Sequence, residues 1–274
     1  MTTIPTVETQ GIRLPKLGLG TYRLRGEDCP KAVLSALELG YRHIDTAEMY
    51  GNEEMVGAAL AESGVPRGEI HVTTKCWHEN LAPDSLRRSF DASMKKLRLD
   101  AVDLYLIHWP SRGMDLAATL DAMMRLKAEG RVRAIGVANF TVALLQQVER
   151  IGAPIACNQV EYHVLLDQSK LLAYLRPRQI PLVAYCPLAQ GKLAQHPALD
   201  AIARKHGASA AQVALKWLLD QDGVCAIPKS GRRKGQQANL DALKLRLDDA
   251  DRQAIAALPK NQRCISPGFG PDWD

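Results

Sequence analysis

The chain has 274 residues, of which 46% are hydrophobic and 24% charged, with a formal net charge of +5. This composition supports a full hydrophobic core and excludes a disordered chain. The positive charge is small and dispersed, which argues against a nucleic-acid surface but permits an anionic small ligand.

The start, Met-Thr-Thr-Ile-Pro-Thr-Val-Glu, lacks the basic and apolar parts of a signal peptide, and no run approaches the length of a membrane span. Alternating apolar residues around Gln10-Gly11 predict a hairpin between Val7 and Leu19, followed by a short strand at Gly18-Leu-Gly-Thr21. A helix is expected from Pro30 to Leu39, with proline at its first position. Tyr41 to Asp45 reads as the next strand, Glu53 to Glu62 as a helix and Ile70 to Lys75 as a third strand. Leu86, Phe90, Met94 and Leu97 share one face of a helix over Pro83 to Leu97.

Asp103 to Pro110 is a nearly unbroken apolar run ending in His108, the pattern of a strand buried on both faces. A helix near Leu116 to Glu129 and a strand from Val132 to Ala138 follow. Thr141 is placed to cap a helix carrying Leu144, Leu145 and Val148. The alternation continues with Ile155 to Glu161, a helix through Leu171 and Leu175, and Pro181 to Tyr185. Two helices come next, Leu199 to Lys205 and Ser209 to Asp220, the second opened by a Ser209–Gln212 capping box. Val224 to Ile227, a helix around Gln237 to Leu243 and a last helix from Asp248 to Leu258 complete the chain.

Eight strands after the hairpin, each with its helical partner and no linker between them, predict one α/β domain over residues 1–274. Its expected architecture is a (β/α)8 TIM barrel with an N-terminal hairpin and two extra helices. A doubly wound open sheet is the alternative, but no G-x-G-x-x-G follows the first strand. The six cysteines at 29, 76, 157, 186, 225 and 264 form no C-x-x-C pair and no His/Cys cluster at metal-ligand spacing. A reduced, cytoplasmic protein without a metal is therefore expected.

A barrel gathers its strand carboxyl ends around one mouth. Asp45, Lys75, His108, Asn139, Gln159, Tyr185 and Lys229 close the second to eighth strands, and Tyr50 lies just beyond Asp45. Each alone has an ordinary packing explanation, but seven together point to a site. A phenol is a sluggish acid at neutral pH, and a nearby ammonium lowers its pKa. Tyr50 beside Lys75, with Asp45 fixing the lysine and His108 orienting a carbonyl, suits protonation of a developing oxyanion. No side chain supplies a hydride, so a cofactor is required.

Gly18-Leu-Gly-Thr-Tyr22, Gly40-Tyr-Arg-His-Ile-Asp-Thr-Ala47 with Tyr50, Thr74-Lys-Cys-Trp77 and Asp103 to Pro110 resemble motifs of the aldo-keto reductases. So do Ile135-Gly-Val-Ala-Asn-Phe140, Asn158-Gln-Val-Glu161 and Ile227-Pro-Lys-Ser230, and the ending is most similar to bacterial 2,5-diketo-D-gluconate reductases of the B type. The resemblance implies an NADPH-dependent carbonyl reductase, expected as a monomer, with Tyr50 as general acid and Asp45, Lys75 and His108 completing a tetrad. Candidate substrates are 2,5-diketo-D-gluconate, 2-oxo esters and methylglyoxal. It further implies that Asn139 and Gln159 hold the nicotinamide carboxamide and Tyr185 stacks on its ring, with Thr21, Asp45 and Leu188 as further coenzyme contacts. Lys229 and Ser230 would meet the 2′-phosphate and Asn239 the adenine. Tyr22, Trp77, His108 and Trp109 would line the substrate pocket, with Trp273 near its mouth.

Two departures bear on the coenzyme. Ala138 stands where the family has serine, and Gly235 where it has an adenosine-binding arginine, with Arg232, Arg233 and Lys234 as candidate substitutes. Two other readings compete: a nicotinamide-binding regulatory subunit on the same scaffold, and a phosphate-handling isomerase barrel, which would leave the tyrosine–lysine pair unexplained.

Overall fold

The structure is a computed structural model that describes residues 3–193 and 196–274. Strands β1 (Thr6–Thr9) and β2 (Ile12–Pro15) form an antiparallel hairpin, paired Thr9 to Ile12. Its turn places Gln10 and Gly11 at φ 45° and 80°. Two successive left-handed residues match the right-handed twist of a two-residue hairpin. Ile12 and Leu14 enter the same buried cluster as Leu104, Leu106, Val183 and Ile227, so the hairpin completes the barrel interior. The Thr9 hydroxyl donates to Ala156 O at 2.9 Å, tying the hairpin to a strand 147 residues away.

The eight-stranded sheet runs in chain order and is parallel throughout. Its strands are β3 (Leu19–Gly20), β4 (His43–Asp45), β5 (His71–Cys76), β6 (Val102–Ile107), β7 (Val132–Ala138), β8 (Ile155–Glu161), β9 (Leu182–Tyr185) and β10 (Val224–Ala226). Its first and last strands meet through a Leu17–Ala226 bridge, with Ala226 N donating to Lys16 O at 2.7 Å and Gly18 N to Ala226 O at 2.9 Å. Closure demands close approach: a Cβ on Gly20 would stand 2.6 Å from Ile227 O.

The (β/α)8 barrel expected from the sequence is thus present. In β6, Tyr105 and Ile107 pack outward against helices, while Leu104 and Leu106 point into the barrel. That two-sided burial is why the strand reads as an apolar run rather than an alternation.

Helices α1 (Asp28–Glu38), α2 (Glu53–Glu62), α3 (Pro83–Leu97), α4 (Leu116–Ala128), α5 (Val142–Ile151) and α6 (Ser169–Leu175) follow their strands in turn. After β9 come α7 (Pro197–Lys205) and α8 (Ala210–Leu219), and after β10 come α9 (Arg233–Asp241) and α10 (Asp249–Ala256). Thr141 accepts from Leu144 N, and both halves of the Ser209–Gln212 capping box form. Helices α7, α8 and α10 share a separate cluster through Leu199, Ile202, Val213 and Ile255.

Most boundaries lie within two residues of the sequence reading, and α9 departs furthest. Pro30 is the third residue of α1, where its missing N–H is still not needed, and α9 starts at Arg233 rather than Gln237. Among the described residues no helix is long and apolar enough to cross a membrane, and all six cysteines are free.

Candidate active site

Strand β4 delivers Asp45 to the barrel mouth, and Glu48–Tyr50 then winds one 3-10 turn that ends on Gly51 at φ 66°. Two staples hold that turn. Asn52 accepts from the Thr46 hydroxyl at 2.8 Å and donates to Thr21 O at 2.9 Å and Leu24 O at 3.1 Å. Glu48 accepts from Trp77 N, from Asn80 Nδ2 at 3.2 Å and from the Ser89 hydroxyl, joining the turn to the loop after β5.

Behind the turn, Lys75 Nζ donates to Asp45 Oδ1 at 2.5 Å and to Thr46 O at 2.7 Å. The pair is 0% and 1% exposed. Gln159 Nε2 donates to the other Asp45 oxygen at 2.8 Å, so both carboxylate oxygens are satisfied. The third Lys75 contact reaches the Tyr50 hydroxyl at 3.5 Å, long for a hydrogen bond, and the ammonium lies 5.1 Å from the ring centroid. The His108 ring crosses the Tyr50 ring edge-on at 5.5 Å.

Burial governs the protonation of all three groups. It pushes the Tyr50 hydroxyl well above its ordinary value, with the Asp45 charge adding to the rise. The phenol is thus not brought below its ordinary value as the sequence reading expected: loss of water around it, with the Asp45 charge, sets the direction. Burial lowers Lys75, with Asp45 opposing. It holds His108 well below the ordinary histidine range, the Lys75 charge adding to the fall. His108 is therefore neutral at pH 7, and its Nδ1 is buried without a partner. A neutral imidazole can orient a carbonyl oxygen but does not act as an imidazolium acid.

On the neighbouring strands, Asn139 sits at φ 63°, donates to His108 O at 2.9 Å and accepts from the Tyr185 hydroxyl at 2.7 Å. These groups open into a cleft of about 1010 Å³. Tyr22, Asp45, Tyr50, His108, Trp109, Asn139, Gln159, Tyr185, Leu188 and Lys229 all line it. Thr21 is buried beneath, its hydroxyl on Asp45 O at 3.0 Å, and Trp77 stands edge-on to His108 at 5.2 Å.

Other predicted residues stand off the cleft wall. The Ser230 hydroxyl turns back to Arg232 O at 3.0 Å, and Arg232 is exposed. Arg233 closes on Glu38 of α1 at 2.6 Å, because α9 begins there and directs its first turn toward α1. Asn239 is 7% exposed on α9, against the Tyr41 hydroxyl.

The structure adds residues that sequence reasoning passed over. Phe269 of the C-terminal tail stacks on His78 at 4.2 Å and meets Trp77 and Trp109 edge-on at 5.6 and 5.7 Å. Trp273, which the sequence already placed near the pocket mouth, reaches Trp109 at 5.9 Å. The tail is anchored by Glu161, which accepts from Cys264 N at 2.6 Å, Ile265 N at 2.8 Å and His163 Nε2 at 2.9 Å. Glu161, His163 and Cys264 converge within 4.8 Å, a grouping hidden from any spacing rule because 103 residues separate its ends. Leu165 N occupies His163 Nδ1, so these polar atoms are spent on each other and on the tail backbone. Arg23 and Met49 also line the cleft.

The residues present fit a nicotinamide dinucleotide. Asn139 and Gln159 offer amides beside the Tyr185 ring on the cleft floor, and Lys229 offers a cation on its wall.

The sequence profile of the Aldo/keto reductase family matches residues 16–260. The chain is 45% identical over 266 residues to the methylglyoxal reductase DkgB of Escherichia coli O157:H7, spanning 95% of this chain and 99% of that one. It is 40% identical to the glyoxal reductase of Bacillus subtilis strain 168, over 96% and 94% of the two chains. A crystal structure provisionally assigned as a 2,5-diketo-D-gluconic acid reductase B superposes with a TM-score of 0.96. That match has 38% identity and covers 100% of this chain and 98% of the other.

Proposed function

The chain belongs to the aldo/keto reductase family, whose members are oxidoreductases acting on carbonyls, and on that premise we propose an NADPH-dependent reductase of small reactive carbonyls. Methylglyoxal, glyoxal and 2,5-diketo-D-gluconate are the first substrates to test, since the similar proteins carry those names. The observation that carries the reading is the Tyr50 hydroxyl at the cleft floor, backed by the buried Lys75–Asp45 pair and faced by His108.

When bound, the coenzyme supplies the hydride. Tyr50 is the proton donor: its raised pKa keeps the phenol protonated across the neutral range, so the acid is always loaded. A strongly raised pKa also makes a weak acid, and charge growing on the carbonyl oxygen overcomes that weakness as the proton moves. Lys75 stabilises the phenolate left behind, and Asp45 keeps the lysine charged against desolvation. Neutral His108 orients the carbonyl through its ring N–H. Trp77, Trp109, Phe269 and Tyr22 enclose the reacting carbon in apolar surface, which excludes water from the oxyanion. Asn139 and Gln159 would hold the nicotinamide carboxamide, Tyr185 would stack on its ring, and Lys229 would meet the 2′-phosphate.

Consumption of NADPH with methylglyoxal, followed at 340 nm by wild type and by Tyr50→Phe, tests the reading. Steady turnover abolished by the substitution is expected. Coenzyme binding without turnover for any carbonyl in a broad panel would replace the enzyme with the binding-subunit alternative.

A further inference from the structure

Three cations line the cleft: Arg23, Lys229 and Arg204 of α7. Arg23 lies over the Tyr22 ring, 5.3 Å from its centroid, at the substrate end. Arg204 lines the cleft together with Asp200 and Ala203 of α7 and with Ala208 to Ala211 at the start of α8. Among the described residues, Arg204 is exposed and has no ion-pair partner. Asp200, one turn earlier on the same helix, also lines the cleft but forms no ion pair with the guanidinium. Ser209, the other polar residue there, has its hydroxyl committed to the α8 capping box. This stretch of the cleft wall thus carries small apolar side chains, the Asp200 carboxylate and one unpaired guanidinium, a planar donor suited to a phosphate monoester.

Of the cations that follow Lys229 in the chain, Arg232, Arg233 and Lys234, none lines the cleft, and Arg232 and Lys234 are exposed. Arg233 is held by Glu38, and the Ser230 hydroxyl is folded onto its own loop. Gly235 has no side chain to offer, and a Cβ there would overlap the Ser230 hydroxyl. A long side chain at 235 would require that loop to rearrange.

We propose that Arg204 is the second cation on the coenzyme's 2′-phosphate, acting with Lys229 and supplying from α7 the charge that Gly235 does not supply from α9. Arg204 is then a determinant of NADPH over NADH in this chain. The proposal rests on the reading that the cleft takes NADPH.

The test is isothermal titration of the whole protein with 2′,5′-ADP, which carries the 2′-phosphate, and with 5′-AMP, which lacks it. Neither probe depends on turnover. Arg204→Ala should weaken 2′,5′-ADP about two- to fivefold, the modest value of an exposed charge pair, and leave 5′-AMP unchanged. Arg204→Lys should restore part of the loss, and the difference should shrink at high salt.

Equal losses for both probes would place Arg204 against the base rather than the phosphate and overturn the proposal. No loss for either would also overturn it. In that case a selective loss of 2′,5′-ADP in Lys229→Ala would leave the NADPH reading standing. Failure of the wild type to bind either probe or NADPH would remove both.

Discussion

Replacing Lys75 by methionine keeps most of the side-chain volume but removes the charge, which isolates the electrostatic part of the site. In the native chain the ammonium touches Asp45, Thr46 O and the Tyr50 hydroxyl, and the ion pair is essentially inaccessible to water. After the substitution Asp45 keeps only Gln159 on its side chain, at 2.8 Å, and its carboxylate is an uncompensated buried charge. Removing one partner of a buried pair costs about 3–5 kcal/mol. In a chain of this size each kcal/mol moves the melting point by about 2 °C, so a fall of about 6–10 °C at pH 7 is expected. The deficit should also depend on pH. The difference from wild type should narrow toward acid pH, where protonation removes the uncompensated charge. Adding Asp45→Asn removes the stranded charge and should recover part of the loss. Calorimetric melts of the wild type, the single variant and the double variant from pH 7.5 to 5 give every quantity. A single variant melting within a degree of wild type at pH 7 would refute the reasoning, as would a double variant no better than the single one.

Tyr50→Phe should leave the melting point and NADPH affinity near wild type while carbonyl reduction falls about 10²–10⁴-fold, the usual contribution of a general acid; near-normal turnover with a simple aldehyde would assign the proton elsewhere. His43 is buried beside His71 and its pKa is pulled down to about 4 by burial. The unfolded chain then binds a proton that the native chain refuses between about pH 6.5 and 4, so stability is full above that window and falls through it, by about 1.4 kcal/mol per pH unit from His43. A melting point that stays flat from pH 6.5 to 5 would contradict this. Phe269→Ala opens the aromatic wall between Trp77 and Trp109, and should raise KM for apolar aldehydes several-fold while leaving NADPH affinity unchanged; a shift in coenzyme affinity instead would place the tail against the coenzyme.

The sequence by itself determined the elements and the identity of the groups at the strand ends. Both are local matters: the run from Asp103 to Ile107 is a strand because its residues are β-formers with no helical period, and Thr141 and Ser209 cap helices through bonds spanning three residues. The repeat of strand and helix then leaves few topologies, and the polar residues at the strand carboxyl ends fall around one mouth. Solvation and direction depended on the tertiary structure. That Lys75 and Asp45 lose all contact with water, and that burial raises the Tyr50 phenol where the adjacent ammonium would lower it, follow from neighbours many residues away. The direction of the basic residues is equally non-local: Arg233 is turned away by Glu38 on α1, while Arg204, in a stretch read only as helix, faces the cleft because α7 packs against α8 and α10. The Phe269 wall depends on Glu161 holding the backbone of Cys264 and Ile265. A residue's type and local period set what it can do, and the water and charge that decide whether it does so come from chain segments that only folding brings together.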